Sequence, residues 1–181
     1  MYGVCMGFER ADIQYVTGAQ LALNVAKANI ENYALGAISA LQFEPGDPLE
    51  PVVESLGGRI ETENVFSFDD AEATIWVHAP YDFDVVMNDL GYSRRNRFTL
   101  AHEVGHYLLH SKQGKIPMQA NRSGTGRVEW EANWFAAALL MPRPALETKR
   151  SLGINKLADY FGVSEAAMRV RFKSLGWDAV A

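Results

Sequence analysis

The chain of 181 residues lacks several features that would place it in a familiar class. Its single cysteine, Cys5, excludes an internal disulfide and a zinc site built from several thiolates. Its apolar runs fall far short of the roughly 20 residues needed to span a bilayer. Residues 1–10 lack the cationic start and apolar core of a signal peptide. These absences predict a cytoplasmic protein without a membrane partner.

The chain also lacks an excess of positive charge. Its formal net charge is −5, which argues against nucleic-acid binding as the main role. The composition is 48% hydrophobic and 22% charged, as is typical of a globular protein. A chain of this length supports one substantial core, which predicts a single domain over residues 1–181.

The most informative motif is His-Glu-x-x-His at residues 102–106. The surrounding run from Arg94 to His110 contains no proline and predicts one helix. Histidines at positions i and i+4 lie on one helix face, about 5–6 Å apart at Cβ, so His102 and His106 can bind one Zn²⁺. Glu103 would then adjoin the metal and can act as the general base toward a water molecule.

A catalytic zinc site needs a third protein ligand. His110 continues the same helical stripe but stacks awkwardly for a tetrahedral site, and His78 is better explained as a core or surface histidine. The next long helix offers Glu129 and Glu131. Glu129 is favoured because Asn133, four residues later on the same face, can orient a histidine ligand from behind. Glu131 and a solvated role for both carboxylates remain alternatives.

Small residues predict close contact between these two helices. Gly105 in the middle of a helix costs about 1 kcal/mol relative to alanine, so close backbone packing is the natural reason for it. Ala132 and Ala136 on the second helix would permit the same approach.

The remaining pattern predicts helices and strands on both sides of the motif. Asp47 is predicted as the N-cap of a short helix that ends near Leu56, and Ser164 as the cap of the last helix. The other predictions are helices over 20–41, 128–140 and 144–152, a helix pair over 154–175, strands over 59–68, 73–78 and 82–87, and a mobile loop over 112–126.

Three blocks of the sequence resemble the ImmA/IrrE-type metallopeptidases: residues 97–110, 129–142 and 157–171. The resemblance covers residues 47–176. It implies an α+β, zincin-like fold, with a small, mostly antiparallel sheet packed on the active-site helix and a helical C-terminal half. It also implies a zinc ion held by His102, His106 and Glu129, with Glu103 catalytic.

The resemblance further implies a function. Such proteins often cleave a repressor, or promote its cleavage, in mobile elements or stress responses. The expected activity is therefore that of a zinc metalloendopeptidase acting on a specific intracellular protein, and no added sensing domain is expected. The candidates for stabilising the oxyanion are Tyr107, His110, Tyr92 and Arg97.

Two other interpretations stay open. Residues 157–172 match a helix-turn-helix pattern, with Arg169, Arg171 and Lys173 on or near the second helix, so the chain could be a DNA-binding regulator. It could also be a protein-interaction regulator whose metal site is structural or vestigial. Residues 1–46 are predicted as an N-terminal helical extension outside the resemblance. Within it, residues 1–41 would either dock a partner or form part of the core.

Overall fold

The computed structural model describes residue 10 and residues 12–17, 22–63, 73–88, 94–111, 118–121 and 126–177. Within these ranges the strands are β1 (Val16–Thr17), β2 (Gly58–Glu63), β3 (Ala73–Ala79), β4 (Asp82–Asn88) and β5 (Met118–Asn121). The helices are α1 (Lys27–Leu41), α2 (Glu50–Ser55), α3 (Arg94–His110), α4 (Arg127–Leu140), α5 (Arg143–Lys149), α6 (Ile154–Phe161) and α7 (Glu165–Ser174).

The five strands form one sheet in the order β1-β5-β3-β4-β2. Strand β3 pairs antiparallel with both β4 and β5, whereas β2 pairs parallel with β4 and β1 pairs parallel with β5. The α+β class is therefore confirmed, but the sheet is mixed rather than mostly antiparallel. The apolar pattern predicted strands β2, β3 and β4, but it did not predict β5 or which strands pair, because pairing joins residues distant in sequence.

One face of the sheet packs on α3. Because side chains alternate along a strand, Ile75 and Val77 of β3 point to the same face as Phe83 and Val85 of β4. All four are fully buried and belong to one apolar core that also includes Val104 of α3. The sheet therefore supports the helix that carries the His-Glu-x-x-His motif.

Helix α4 lies against α3 at the point where the sequence predicted close packing. A Cβ atom added to Gly105 would lie 3.1 Å from Phe135 Cδ1 and 3.2 Å from the Ala132 carbonyl oxygen. Ala132 and Ala136 are both fully buried. The expectation of a close helix contact at Gly105 is confirmed.

The N-terminal helix starts later than predicted. Helix α1 begins at Lys27 rather than near residue 20, and residues 22–26 are non-helical, with Asn24 in the left-handed region at φ 53°. Ile30 and Ala34 of α1 are buried in the main core. The segment was expected either to dock a partner or to form part of the core, and the burial of α1 fits the core role.

The predicted cap at Asp47 is wrong. The N-cap residue of α2 is Leu49, and Pro51 lies in its first turn. The Asp47 carboxylate instead accepts a hydrogen bond of 3.1 Å from the Glu44 amide, which closes a turn before the helix. Aspartate serves both helix caps and turns, so the residue type alone did not separate them.

Elements near the C-terminus follow the prediction closely. Ser164 caps α7 by accepting a 3.1 Å hydrogen bond from the Ala167 amide, and Gly162 ends α6 in the left-handed conformation at φ 64°.

The loop predicted over residues 112–126 contains strand β5, and its residues 112–117 and 122–125 lie outside the described residues. No described helix has the length and hydropathy needed to cross a bilayer.

Candidate metal centre

Two helices bring three possible metal ligands together. His102 and His106 lie one turn apart on α3, and Glu129 lies in the first turn of α4. The Nε2 atoms of the histidines are 3.0 Å apart, and they lie 3.1 and 3.3 Å from the two Glu129 carboxylate oxygens. Within the described residues, these three side chains lie close enough together to hold one metal ion.

The donor set fits a cation. His102 Nδ1 lies 3.1 Å from Asn133 Oδ1, and an amide oxygen only accepts hydrogen bonds. The proton of a neutral His102 ring therefore sits on Nδ1, which leaves a lone pair on Nε2. That lone pair faces the carboxylate of Glu129, which is also an acceptor. A bound cation reconciles these converging acceptors, and two imidazoles with one carboxylate suit zinc well.

The charge of Glu129 supports the same conclusion. Burial opposes its ionisation, but the adjacent rings of His102 and His106 outweigh burial and lower the pKa of Glu129 to about 2. The carboxylate is therefore ionised at neutral pH and ready to bind a cation. Its side chain is 12% exposed, whereas those of His102 and His106 are inaccessible. Asn133, which contacts Nδ1 of His102, is exposed.

The predicted catalytic base lies beside the ligands. Glu103 follows His102 directly on α3 and is fully buried. A buried carboxylate one residue from a possible metal ligand matches the position that the motif requires of a general base.

The residues proposed for stabilising the oxyanion have other contacts. Tyr107 stacks on Phe83, with ring centroids 4.2 Å apart, and its hydroxyl accepts a 3.1 Å hydrogen bond from the Tyr81 amide. Burial raises the pKa of the Tyr107 phenol. Arg97 donates to the carbonyl oxygen of Asp47. Tyr92 lies outside the described residues. These contacts place Tyr107 against the β3-β4 hairpin and Arg97 near α2.

His110 belongs to a hydrogen-bonded extension of the metal site. Its Nδ1 lies 3.1 Å from His106 Nδ1, and its Nε2 lies 3.2 Å from Glu131 Oε2. Burial, reinforced by His106, lowers the pKa of His110 to about 4. Glu131 is fully buried rather than solvated, and it also accepts a 2.9 Å bond from Arg127. Sequence reasoning missed this role of Glu131, although the i,i+4 spacing of Arg127 and Glu131 was a signal.

His78 lies on the face of the sheet opposite α3, and it does not belong to the group formed by His102, His106 and Glu129. Its Nδ1 is 2.6 Å from the Tyr15 hydroxyl, and its Nε2 is 2.8 Å from Asp84 Oδ2. Arg59 donates to Asp84 at 2.7 Å. His78 is 3% exposed and has a partner at each ring nitrogen, which is the satisfied structural role expected for it.

The predicted helix-turn-helix pair turns a key basic residue inward. Arg171 is 1% exposed, donates to the Met141 carbonyl oxygen and pairs with Glu31 of α1. Arg169 is exposed and lies 3.6 Å from Glu165 on its own helix. Arg171 therefore joins α7 to the core and presents no charge to a nucleic acid.

The fold and the site together define a class: an α+β domain with a metal-binding motif on a central helix. The Peptidase_M78 family model, described as the IrrE N-terminal-like domain, matches residues 54–173. The chain belongs to this family, which confirms the resemblance drawn from the sequence.

A solved structure shares the fold. A Mycobacterium tuberculosis transcriptional regulator superposes with a TM-score of 0.57 at 17% identity, over 81% of this chain and 46% of that one. At this identity the likeness concerns the fold, and this chain spans less than half of that protein's length. No curated protein sequence matches the chain.

Proposed function

We propose that the chain is a zinc-dependent endopeptidase of the cytoplasm that cleaves a specific intracellular protein. A transcriptional repressor, or another regulator of a mobile element or stress response, is the expected substrate. The observation that carries the proposal is the convergence of His102, His106 and Glu129, with Glu103 adjoining them on the same helix. Membership of a peptidase family supports it.

The side chains divide the work of hydrolysis. His102, His106 and Glu129 would hold the zinc ion, which would supply Lewis acidity toward a water molecule and a peptide carbonyl. Glu103 takes the proton from the attacking water and passes it to the leaving amine. Asn133 holds the His102 ring in place through Nδ1. An extended substrate segment is expected to pair with an edge of the sheet through backbone hydrogen bonds.

The alternative of a DNA-binding regulator has less support. A DNA-binding helix needs basic side chains on its exposed face, whereas Arg171 is buried against Glu31 and the exposed Arg169 lies 3.6 Å from Glu165. The acidic net charge of the chain points the same way.

The deciding experiment separates metal binding from cleavage. Purified wild-type protein, Glu103→Gln and Glu129→Gln would each be assayed for zinc content and incubated with candidate repressor proteins, with products identified by mass spectrometry. We expect Glu103→Gln to keep zinc and lose cleavage, because it removes the base and leaves the ligands. Glu129→Gln should lose both. Retained cleavage in Glu103→Gln would refute the proposed mechanism.

Substrate choice is part of the proposal. We expect weak or no digestion of casein, and cleavage of one partner protein at one or a few sites. Rapid, unselective digestion of unfolded proteins by the wild-type chain would contradict this selectivity.

A further inference from the structure

The outer nitrogen of the ligand His106 starts a chain of buried hydrogen bonds. His106 Nδ1 faces His110 Nδ1 at 3.1 Å, and His110 Nε2 faces Glu131 Oε2 at 3.2 Å. An ionised carboxylate can only accept, so His110 carries its proton on Nε2. His110 Nδ1 must then accept, and His106 must donate from Nδ1. Glu131 thereby leaves the lone pair of His106 on Nε2, the atom that faces Glu129.

Glu131 is itself held by residues that precede α1. Its Oε2 accepts a 2.8 Å hydrogen bond from the Leu23 amide, and its Oε1 accepts a 2.9 Å bond from Arg127 Nε. Arg127 also donates to the carbonyl oxygen of Val25. We call residues 22–26 the N-terminal arm. The arm lies outside the matched range 54–173, yet its backbone touches the group that orients a metal ligand.

The left-handed residue of the arm makes this double contact possible. Asn24 has φ 53° and lies between Leu23, which donates to Glu131, and Val25, which accepts from Arg127. The arm therefore presents a donor and an acceptor, separated by one residue, to the Arg127–Glu131 ion pair. A regular helix running through residues 22–26 into α1 would instead use the Val25 carbonyl oxygen within itself, as acceptor for the amide four residues later.

We propose that Glu131 and His110 are positioning residues for His106, and that docking of the N-terminal arm on Glu131 strengthens metal binding. By linkage, metal binding must strengthen arm docking by the same factor. The inference rests on the metal site of the proposed function and is independent of peptidase activity. Residues behind a metal ligand usually contribute about 10–100-fold to metal affinity.

The first test measures zinc affinity by competition with a chromophoric chelator. Glu131→Gln removes the charge and keeps the shape, and it should bind zinc at least about 10-fold more weakly than wild type. Glu147→Gln is the matched control, because Arg143 and Glu147 form an i,i+4 pair of the same 2.9 Å length on exposed α5. It should bind zinc as wild type does.

A second readout separates positioning from general stability. Side-chain ¹⁵N spectra of wild-type protein should show His106 protonated at Nδ1 and His110 at Nε2, and Glu131→Gln should weaken this pattern. Wild-type zinc affinity in a folded Glu131→Gln variant, or the opposite tautomers in wild type, would overturn the inference.

The arm can be tested without any substitution. Zinc should slow hydrogen exchange of the Leu23 amide in the wild-type chain. The Ala167 amide, which also donates to a side-chain oxygen but far along the chain at α7, should exchange by local opening at an unchanged rate. Equal Leu23 exchange with and without zinc would overturn the role of the arm. If wild type binds no zinc, both this inference and the proposed function fail, whereas tight binding that Glu131→Gln leaves unchanged refutes the inference alone.

Discussion

Two buried histidine clusters lie on either side of the sheet, and they differ in how their hydrogen bonds close. The metal-side cluster consists of His102, His106, His110, Glu129, Glu131 and Asn133. The outer-face cluster consists of Arg10, Tyr15, Arg59, His78, Asp82 and Asp84. In the outer-face cluster each ring nitrogen of His78 meets a partner of suitable kind: the Tyr15 hydroxyl donates to Nδ1, and Nε2 donates to Asp84.

In the metal-side cluster, the outer ring nitrogens have hydrogen-bond partners of suitable kind, whereas the inner ones do not. His102 Nδ1 donates to Asn133, and His106 Nδ1 donates to His110, which in turn donates to Glu131. At the centre, two Nε2 atoms and the Glu129 carboxylate face one another as acceptors. A histidine cluster therefore indicates a metal site when its acceptors converge, and a structural network when each donor finds an acceptor.

The largest effect on zinc affinity is expected when one histidine is removed from each cluster in turn. His106→Ala deletes a proposed metal ligand and should lower zinc affinity by more than the roughly 10–100-fold typical of residues behind a ligand. His78→Gln should leave zinc affinity unchanged, because His78 belongs to the other network. Chelator competition measures both. Comparable zinc loss in the two variants would break the distinction between the clusters.

How far the sequence predicts each cluster depends on the distance between its members along the chain. His102 and His106 form a local i,i+4 pair, so a helix of ordinary length fixed their geometry before any tertiary contact was known. Glu129 required a second helix, and Asn133 at i+4 supplied the argument for it. The structure brings Glu129 to His102 and His106, while Glu131 turns to His110.

The contacts of the outer-face cluster could not be predicted from the local sequence pattern. Asp84 meets Arg59 because β2 and β4 pair in parallel register, and it meets His78 because β3 and β4 form a hairpin. Tyr15 joins from a segment 63 residues away from His78. Such contacts follow from strand order and register, which apolar alternation does not determine. The arm contact with Glu131 escaped for the same reason, since Leu23 is 108 residues from Glu131.

A second test concerns the helix contact on which only the metal-side cluster depends. Gly105→Ala would place a methyl group 3.1–3.3 Å from atoms of Phe135 and Ala132, so α3 and α4 must separate slightly. We expect a loss of about 1–3 kcal/mol in the free energy of unfolding and weaker zinc binding. Urea unfolding of the metal-free protein and chelator competition measure the two effects.

Gly36→Ala is the control for that substitution. Gly36 lies within α1, and a Cβ placed there would have no atom of the described residues within 4 Å, apart from its chain neighbours and the nearby backbone of α1 itself. The same change should stabilise the protein by about 0.5–1 kcal/mol, because alanine has the higher helix propensity, and leave zinc affinity unchanged. If Gly105→Ala behaves like Gly36→Ala, the close helix contact does not support the metal site.

The smallest expected effect lies in the outer-face cluster and depends on pH. Hydrogen bonds from Arg10, followed by Arg59, outweigh burial and hold the pKa of Asp82 below its usual value. A carboxylate with a lowered folded pKa stabilises the protein above its unfolded pKa of about 3.9 and loses that contribution as pH falls through the folded pKa. Because Asp82 and both arginines are partly exposed, we expect Asp82→Asn to cost only about 0.5–1 kcal/mol at pH 7. Urea unfolding of wild type and Asp82→Asn at several pH values should show a difference in the free energy of unfolding that shrinks toward zero below about pH 4.

Zinc affinity at pH 7 should be the same in wild type and Asp82→Asn. A difference that grows as pH falls would reverse the assigned sign, and a loss of zinc would mean that the two clusters are coupled through the sheet.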